Sequence, residues 1–202
     1  MKNVKLTFVL MAGLPGTGKS RLAFKLGEEL GWSVIDKDKF KDEFLKEGYN
    51  AEAASNKAYK ESFKTAKNEL IKRRSVILDS AALDPLTIKN AKKTVKSVEK
   101  RIQSEEGIQI EIQIKAILCY ASSELRKERV QARKSHDRFS PISHTRADPS
   151  TMEGYLQLFK HLPPPPDRLV LNTKDPLVEC LLRARDYLVR GYKDLNTSVE
   201  TR

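Results

Sequence analysis

Gly13-Leu14-Pro15-Gly16-Thr17-Gly18-Lys19-Ser20 is the stretch whose reading decides the fold. It is a complete GxxxxGKS, and its neighbours are what the mechanism of that motif requires. Before it, Val4 to Met11 is a largely apolar run, broken only by Lys5 and Thr7, as expected of a parallel strand covered on both faces. After it, Leu22, Leu26 and Leu30 fall on one face of a helix from about Lys19 to Leu30, and Gly31 stops that helix. Glycines at this turn let successive backbone N–H groups point inward around a phosphate, and the helix behind presents its positive end to the same anion. Lys19 can then reach the β- and γ-phosphates of a bound nucleotide, while the Ser20 hydroxyl can ligate Mg²⁺. A P-loop is the reading.

Outward from this point, strands and helices alternate. Trp32 to Ile35 and Val76 to Leu78 are short apolar strands, with a long helix between them carrying Tyr59, Phe63, Ala66 and Leu70 inward. Ile88, Ala91, Val95, Val98 and Ile102 mark an amphipathic helix whose other face is rich in lysine. Ile108, Ile110, Ile112 and Ile114 alternate with polar residues ahead of the solid run Ala116 to Cys119, giving a fourth strand. Leu169 to Leu171 is a fifth, and Asp175-Pro176 opens a last helix with Leu177, Leu181, Ala184 and Leu188 inside and Gly191 ending it. The alternation predicts an α/β fold with a parallel sheet and helices on both faces.

A P-loop does not name a reaction. Asp36 and Asp38 stand just past the second strand, where an open α/β sheet has its ligand crevice. One of them can accept a proton from an acceptor hydroxyl and the other can hold Mg²⁺ or its waters, unless Asp38 merely caps a helix beginning at Lys39. Val76-Ile77-Leu78-Asp79 delivers a further carboxylate beside the P-loop, a second candidate metal ligand. No DxxG follows it, and Asn172-Thr173-Lys174-Asp175 has the letters of the guanine-reading NKxD in the wrong order. Both absences speak against a GTPase switch. Arg126, Arg129, Arg133 and Arg138 lie on the helix after the fourth strand and in the polar loop beyond it. Arg129 and Arg133 share a helix face and can clamp phosphates in a closing lid, or simply form a solvated face with the intervening Glu124, Glu128 and Asp137.

In combination, GLPGTGKS, the strand-two DKD, the strand-three ILDS and the RxxxR of Arg129 and Arg133 resemble the P-loop kinases related to phage polynucleotide kinase, the zeta toxins and chloramphenicol phosphotransferase. The resemblance runs to about Leu188. It implies a three-layer P-loop NTPase fold with sheet order 2-3-1-4-5, ATP with Mg²⁺ as phosphoryl donor, Asp38 as general base, and Arg129 and Arg133 as lid arginines. Many relatives carry an arginine three residues after the base, gripping substrate. Here that position is Lys41, a point charge that cannot make the same fork, so the acceptor's identity stays open.

The chain's 202 residues suit one domain, with a lid over about 122–148 and a frayed end from about 195. Pro163 to Pro166 predict a stiff polyproline segment leading into the fifth strand. Hydrophobic residues are 39% and charged residues 32%, well away from the disordered class. Apolar runs fall short of the about 18 residues of a membrane span, and Leu6 to Ala12, after Lys2 and Lys5, reads as a buried strand and not a leader. Cys119 and Cys180 lack CxxC or CxxH spacing, which predicts neither a disulfide framework nor zinc, and a reducing, cytoplasmic setting. The net charge of +11 admits polyanionic partners. The sequence therefore predicts an ATP-dependent kinase acting on a hydroxyl of a small molecule or of a nucleic-acid 5′ end. A P-loop ATPase, or an RNA-binding module using Lys89, Lys92, Lys93, Lys96, Lys100 and Arg101, is the alternative. That helix carries no interleaved aromatics to stack on bases.

Overall fold

A computed structural model describes residues 4–80, 85–136 and 168–190. Along these residues the chain runs β1 (Val4–Ala12), α1 (Lys19–Leu30), β2 (Ser33–Asp36), α2 (Lys37–Lys46), α3 (Ala51–Ile71), β3 (Val76–Asp79), α4 (Pro85–Glu106), β4 (Ile110–Tyr120), α5 (Ser123–His136), β5 (Arg168–Asn172) and α6 (Leu177–Arg190). The five strands form one sheet in the order β2-β3-β1-β4-β5, and every pairing is parallel. The fold class and strand order expected from the sequence are both observed. β1 is central, and the chain leaves it toward β2 and β3 on one side before returning to β4 and β5 on the other. The carboxyl end of β1 is thus the topological switch point where such sheets bind ligands.

Alternation along β1 divides the core in two. Phe8, Leu10 and Ala12 pack on one side with Phe63 and Leu70 of α3 and Val98 and Ile102 of α4. Val9 and Met11 pack on the other with Leu22 and Leu26 of α1 and Leu181, Ala184 and Tyr187 of α6. Phe8 and Phe63 meet edge to face at 6.2 Å, fixing α3 on the sheet. Each fully buried large side chain, Leu10 for example, contributes about 1.5–3 kcal/mol by leaving water. Lys115 is buried in β4 in spite of its charge. Its Nζ donates to the carbonyls of Tyr187 at 2.7 Å and Leu188 at 3.1 Å, offsetting the negative end of α6.

The stretch after β2 is two helices. Gly48 at φ +91° ends the first, and Asn50 caps the second by accepting from Ala53 N at 2.9 Å. This hairpin carries α2 out from the carboxyl edge of the sheet, where the candidate site lies. Cys119 and Cys180 are buried free thiols, and burial pushes that of Cys119 up to about 12. No described helix is long and apolar enough to cross a membrane. The expected polyproline segment, Arg138, the lid beyond His136, the stop at Gly191 and the frayed end lie outside the described residues.

Candidate functional site

The P-loop is held in shape by contacts that exclude side chains. A Cβ on Gly13 would come 2.5 Å from the Cys119 carbonyl oxygen and 2.6 Å from Thr17 Oγ1. Gly16, at φ +82°, lies under α5, where a Cβ would come 2.6 Å from the carbonyl oxygen of Arg126. Thr17 closes the turn across Pro15 and Gly16, donating to the Leu14 carbonyl from its N–H at 3.2 Å and its hydroxyl at 2.8 Å. α1 then begins at Lys19 with Gly18 as its cap, and no side chain caps it nor is its first turn acidic. Its leading N–H groups are left to an anion.

Register brings the carboxylates alongside. Asp79 pairs in the sheet with Met11 on one side and Asp36 on the other, so adjacent Cα positions are about 4.8 Å apart. Asp79 is 3% exposed, its Oδ1 has no hydrogen-bond partner among the described residues, and Lys19 Nζ is 4.0 Å away. Burial holds its carboxyl above the ordinary range, against the downward pull of the Lys19 charge and a hydrogen bond with Ser20, while Asp36 and Asp38 add to the rise. An orphaned, charge-strained carboxylate oxygen beside a hydroxyl and a phosphate cradle is a donor set that fits Mg²⁺. No group of three or more His, Cys, Asp or Glu forms a metal cage among the described residues. The fit is thus to a cation shared with nucleotide phosphates and water.

The two neighbouring aspartates exchange a role. The sequence left Asp38 as a possible cap for a helix from Lys39, but α2 starts at Lys37 and Asp36 caps it, its Oδ1 accepting from Asp38 N at 2.9 Å. The reason is backbone geometry: Asp36 is the last strand residue, still extended at φ −89°, ψ 104°, the usual conformation of an N-cap. Asp38 is set on the first turn of α2, its side chain 38% exposed. Lys37 Nζ lies 3.3 Å from Asp38 Oδ1 and 4.8 Å from the centre of the Tyr59 ring. Lys41, one turn on, is half-buried. Lys37, buried and paired, was legible only as the middle letter of Asp-Lys-Asp.

Arg129 does not lie on a solvated face. Its guanidinium donates to the Gly16 carbonyl at 3.4 Å, to Thr173 Oγ1 at 3.0 Å and to the Thr173 carbonyl at 2.7 Å, joining the P-loop to the turn after β5. Thr173 escaped sequence reasoning because its stretch was weighed only as a failed guanine motif. Arg126 is buried, with Nε donating to the Ala121 carbonyl at 3.3 Å. Arg133 is one turn along α5 from Arg129; its side chain lies outside the described residues.

Solved structures of similar shape include a kinase candidate from Chloroflexus aurantiacus, at TM-score 0.67 and 19% identity, covering 95% of this chain and 100% of that one. A gluconokinase from Sinorhizobium meliloti 1021 matches at TM-score 0.55 and 18% identity over 98% and 99% of the two chains. An APS kinase from Mycobacterium tuberculosis, in complex with AMPPNP and APS, matches at 0.57 and 16% over 93% and 99%. At these identities the likeness is one of fold. No curated protein matches the sequence. The family model described as an AAA domain spans residues 8–162, more than half of the chain and all of the P-loop, and the chain belongs to that family of P-loop NTPases.

Proposed function

We propose that this protein is an ATP- and Mg²⁺-dependent kinase that transfers the γ-phosphoryl group to a hydroxyl of a small molecule. The observation that carries the reading is the meeting, at one sheet edge, of a phosphate cradle with two kinds of carboxylate. Asp79 is buried beside Lys19 and Ser20, whereas Asp38 is half exposed and opens to an acceptor. Residues 13–20 hold the phosphates through backbone N–H groups, and Lys19 adds a cation at the β- and γ-positions. Ser20 and Asp79, with the Asp36 carboxylate beside them, would hold Mg²⁺, which when bound spreads the charge of those phosphates.

Asp38 takes the proton of the acceptor hydroxyl as its oxygen bonds to the γ-phosphorus and the bond to the bridging oxygen breaks, releasing ADP. Lys41, on the same helix face as Asp38, orients the acceptor as a point charge. Arg129, joined by Arg133 one turn along α5, neutralises the transferring group once it exchanges the Gly16 and Thr173 carbonyls for phosphate oxygens. The whole chain acts as one domain with α5 opening the lid, and two buried free thiols suit a reducing, cytoplasmic setting.

The gluconokinase and the APS kinase among the structural neighbours support a small hydroxyl acceptor. The test is a panel of sugars, sugar acids and nucleosides incubated with γ-labelled ATP and Mg²⁺. Label appearing on one acceptor class is the expected result, and label released only as inorganic phosphate opposes it.

A further inference from the structure

α4 has a face that phosphoryl transfer does not use. Ala91, Val95, Val98 and Ile102 are buried in the core, and Lys89, Lys92, Lys93, Lys96 and Lys100 stand exposed on the opposite side. Lys93, Lys96 and Lys100 step by three and four, and with Lys89 and Lys92 beside them they form one stripe about 16 Å long. The helix has three carboxylates to balance them, and each is engaged elsewhere. Glu99 accepts from Ile112 N at 3.1 Å, Glu105 holds Arg101 at 2.9 Å, and Glu106 holds Arg73 at 2.8 Å. None of the five lysines has an ion-pair partner among the described residues.

The stripe also borders a groove of about 520 Å³ lined by Lys93, Lys96, Ser97, Lys100, Arg101 and Ser104. Among the described residues its lining carries four cations, of which Arg101 is held by Glu105, two hydroxyls and no carboxylate. The neighbouring concavity, about 410 Å³, shares Lys100 but sets Glu99 and Glu111 against it, which makes it the poorer place for an anion. We infer that the Lys93–Lys96–Lys100 groove of α4 is a docking site for the phosphate backbone of a nucleic-acid strand.

A line of point charges stepping about 4.5–6 Å along a helix suits a linear polyanion. With no aromatic side chain in the groove to stack on bases, recognition is of the backbone and independent of sequence. The net charge of +11 favours encounter from a distance. The site is separate from the P-loop and does not depend on which acceptor the kinase uses.

The probe is a fluorescent single-stranded 20-mer bearing a 5′-phosphate, so that it offers no 5′-hydroxyl. Its binding to the full chain is followed by anisotropy over a salt series. Lys93→Gln/Lys96→Gln/Lys100→Gln is compared with a charge-matched control, Lys25→Gln/Lys60→Gln/Lys64→Gln, and thermal melting confirms that both fold. Loss of three phosphate contacts should flatten the log–log salt slope by about 2, at roughly 0.7 per contact, and weaken binding at least about tenfold at low salt. The control should keep the wild-type slope, and ATP turnover should be unchanged in the groove variant. Equal loss in the two variants would place binding in the overall charge and overturn the site. Absence of oligonucleotide binding, or binding only to phosphatidylserine-containing vesicles, would overturn it as well.

Discussion

The two halves of the cleft are built on different physical terms. On the nucleotide side, shape resides in the backbone: glycines too close to Cys119 and Arg126 for any side chain, an uncapped helix start, and a carboxylate buried against Lys19. On the side proposed for the acceptor, shape resides in side chains on a ten-residue helix that Gly48 separates from α3, with Asp38 partly exposed and paired with Lys37. The first half is over-determined, and small changes there should break everything. The second is adjustable, which suits the proposed transfer to an acceptor that the fold itself does not dictate.

The largest effect should come from the rigid half. Lys19→Ala removes the cation facing the β- and γ-phosphates, and turnover should fall by about a thousandfold or more with ATP binding also weakened. Single-turnover kinetics and nucleotide titration would check this, and near-normal values in a folded variant would undo the assignment of the nucleotide side. Asp38→Asn should come next, cutting transfer roughly a hundredfold while ATP affinity stays nearly intact. If Asp36→Asn does this and Asp38→Asn does not, the roles of cap and base are reversed. Arg129→Ala should lower turnover about tenfold or more at a cost of only about 1–2 kcal/mol in stability, since the hydrogen bonds lost are partly exposed. Paired melting and kinetic measurements distinguish this from a merely structural arginine, which would lose stability and keep its rate.

The smallest effect concerns stability and sharpens the contrast. Burial raises the Asp79 carboxyl, so between its unfolded value of 3.8 and the higher folded one the native state binds more protons than the unfolded state. Stability without nucleotide therefore falls as pH rises through that window. Asp79→Asn removes this loss: the variant should melt no lower than wild type near pH 7, and their difference should shrink toward pH 4. A variant that melts much lower at neutral pH would mean that Asp79 holds the fold and not a cation.

What the sequence made legible follows the same division. β1 and β3 were legible because strands buried on both faces leave nearly unbroken apolar runs, and GxxxxGKS fixes the turn between strand and helix. Asp36 and Asp38 were not separable, since an aspartate two residues from another can cap the same helix, and only the backbone of β2 decides which does. The partnership of Arg129 with Thr173 spans 44 residues and leaves no local pattern. Lys115 looked like one more polar residue of an alternating strand, because the carbonyls of α6 that accept its protons are distant in sequence.

In the proposed reaction the adjustable half brings an acceptor hydroxyl to a nucleotide held by the rigid half. Its most direct test is the fate of the γ-phosphorus: the ratio of labelled acceptor to labelled inorganic phosphate, measured with γ-labelled ATP for wild type and Asp38→Asn. The account predicts that nearly all label reaches the acceptor in wild type, and that this transfer collapses in Asp38→Asn while nucleotide binding persists. Label appearing only as inorganic phosphate across the acceptor panel, with Asp38→Asn no different from wild type, would contradict it.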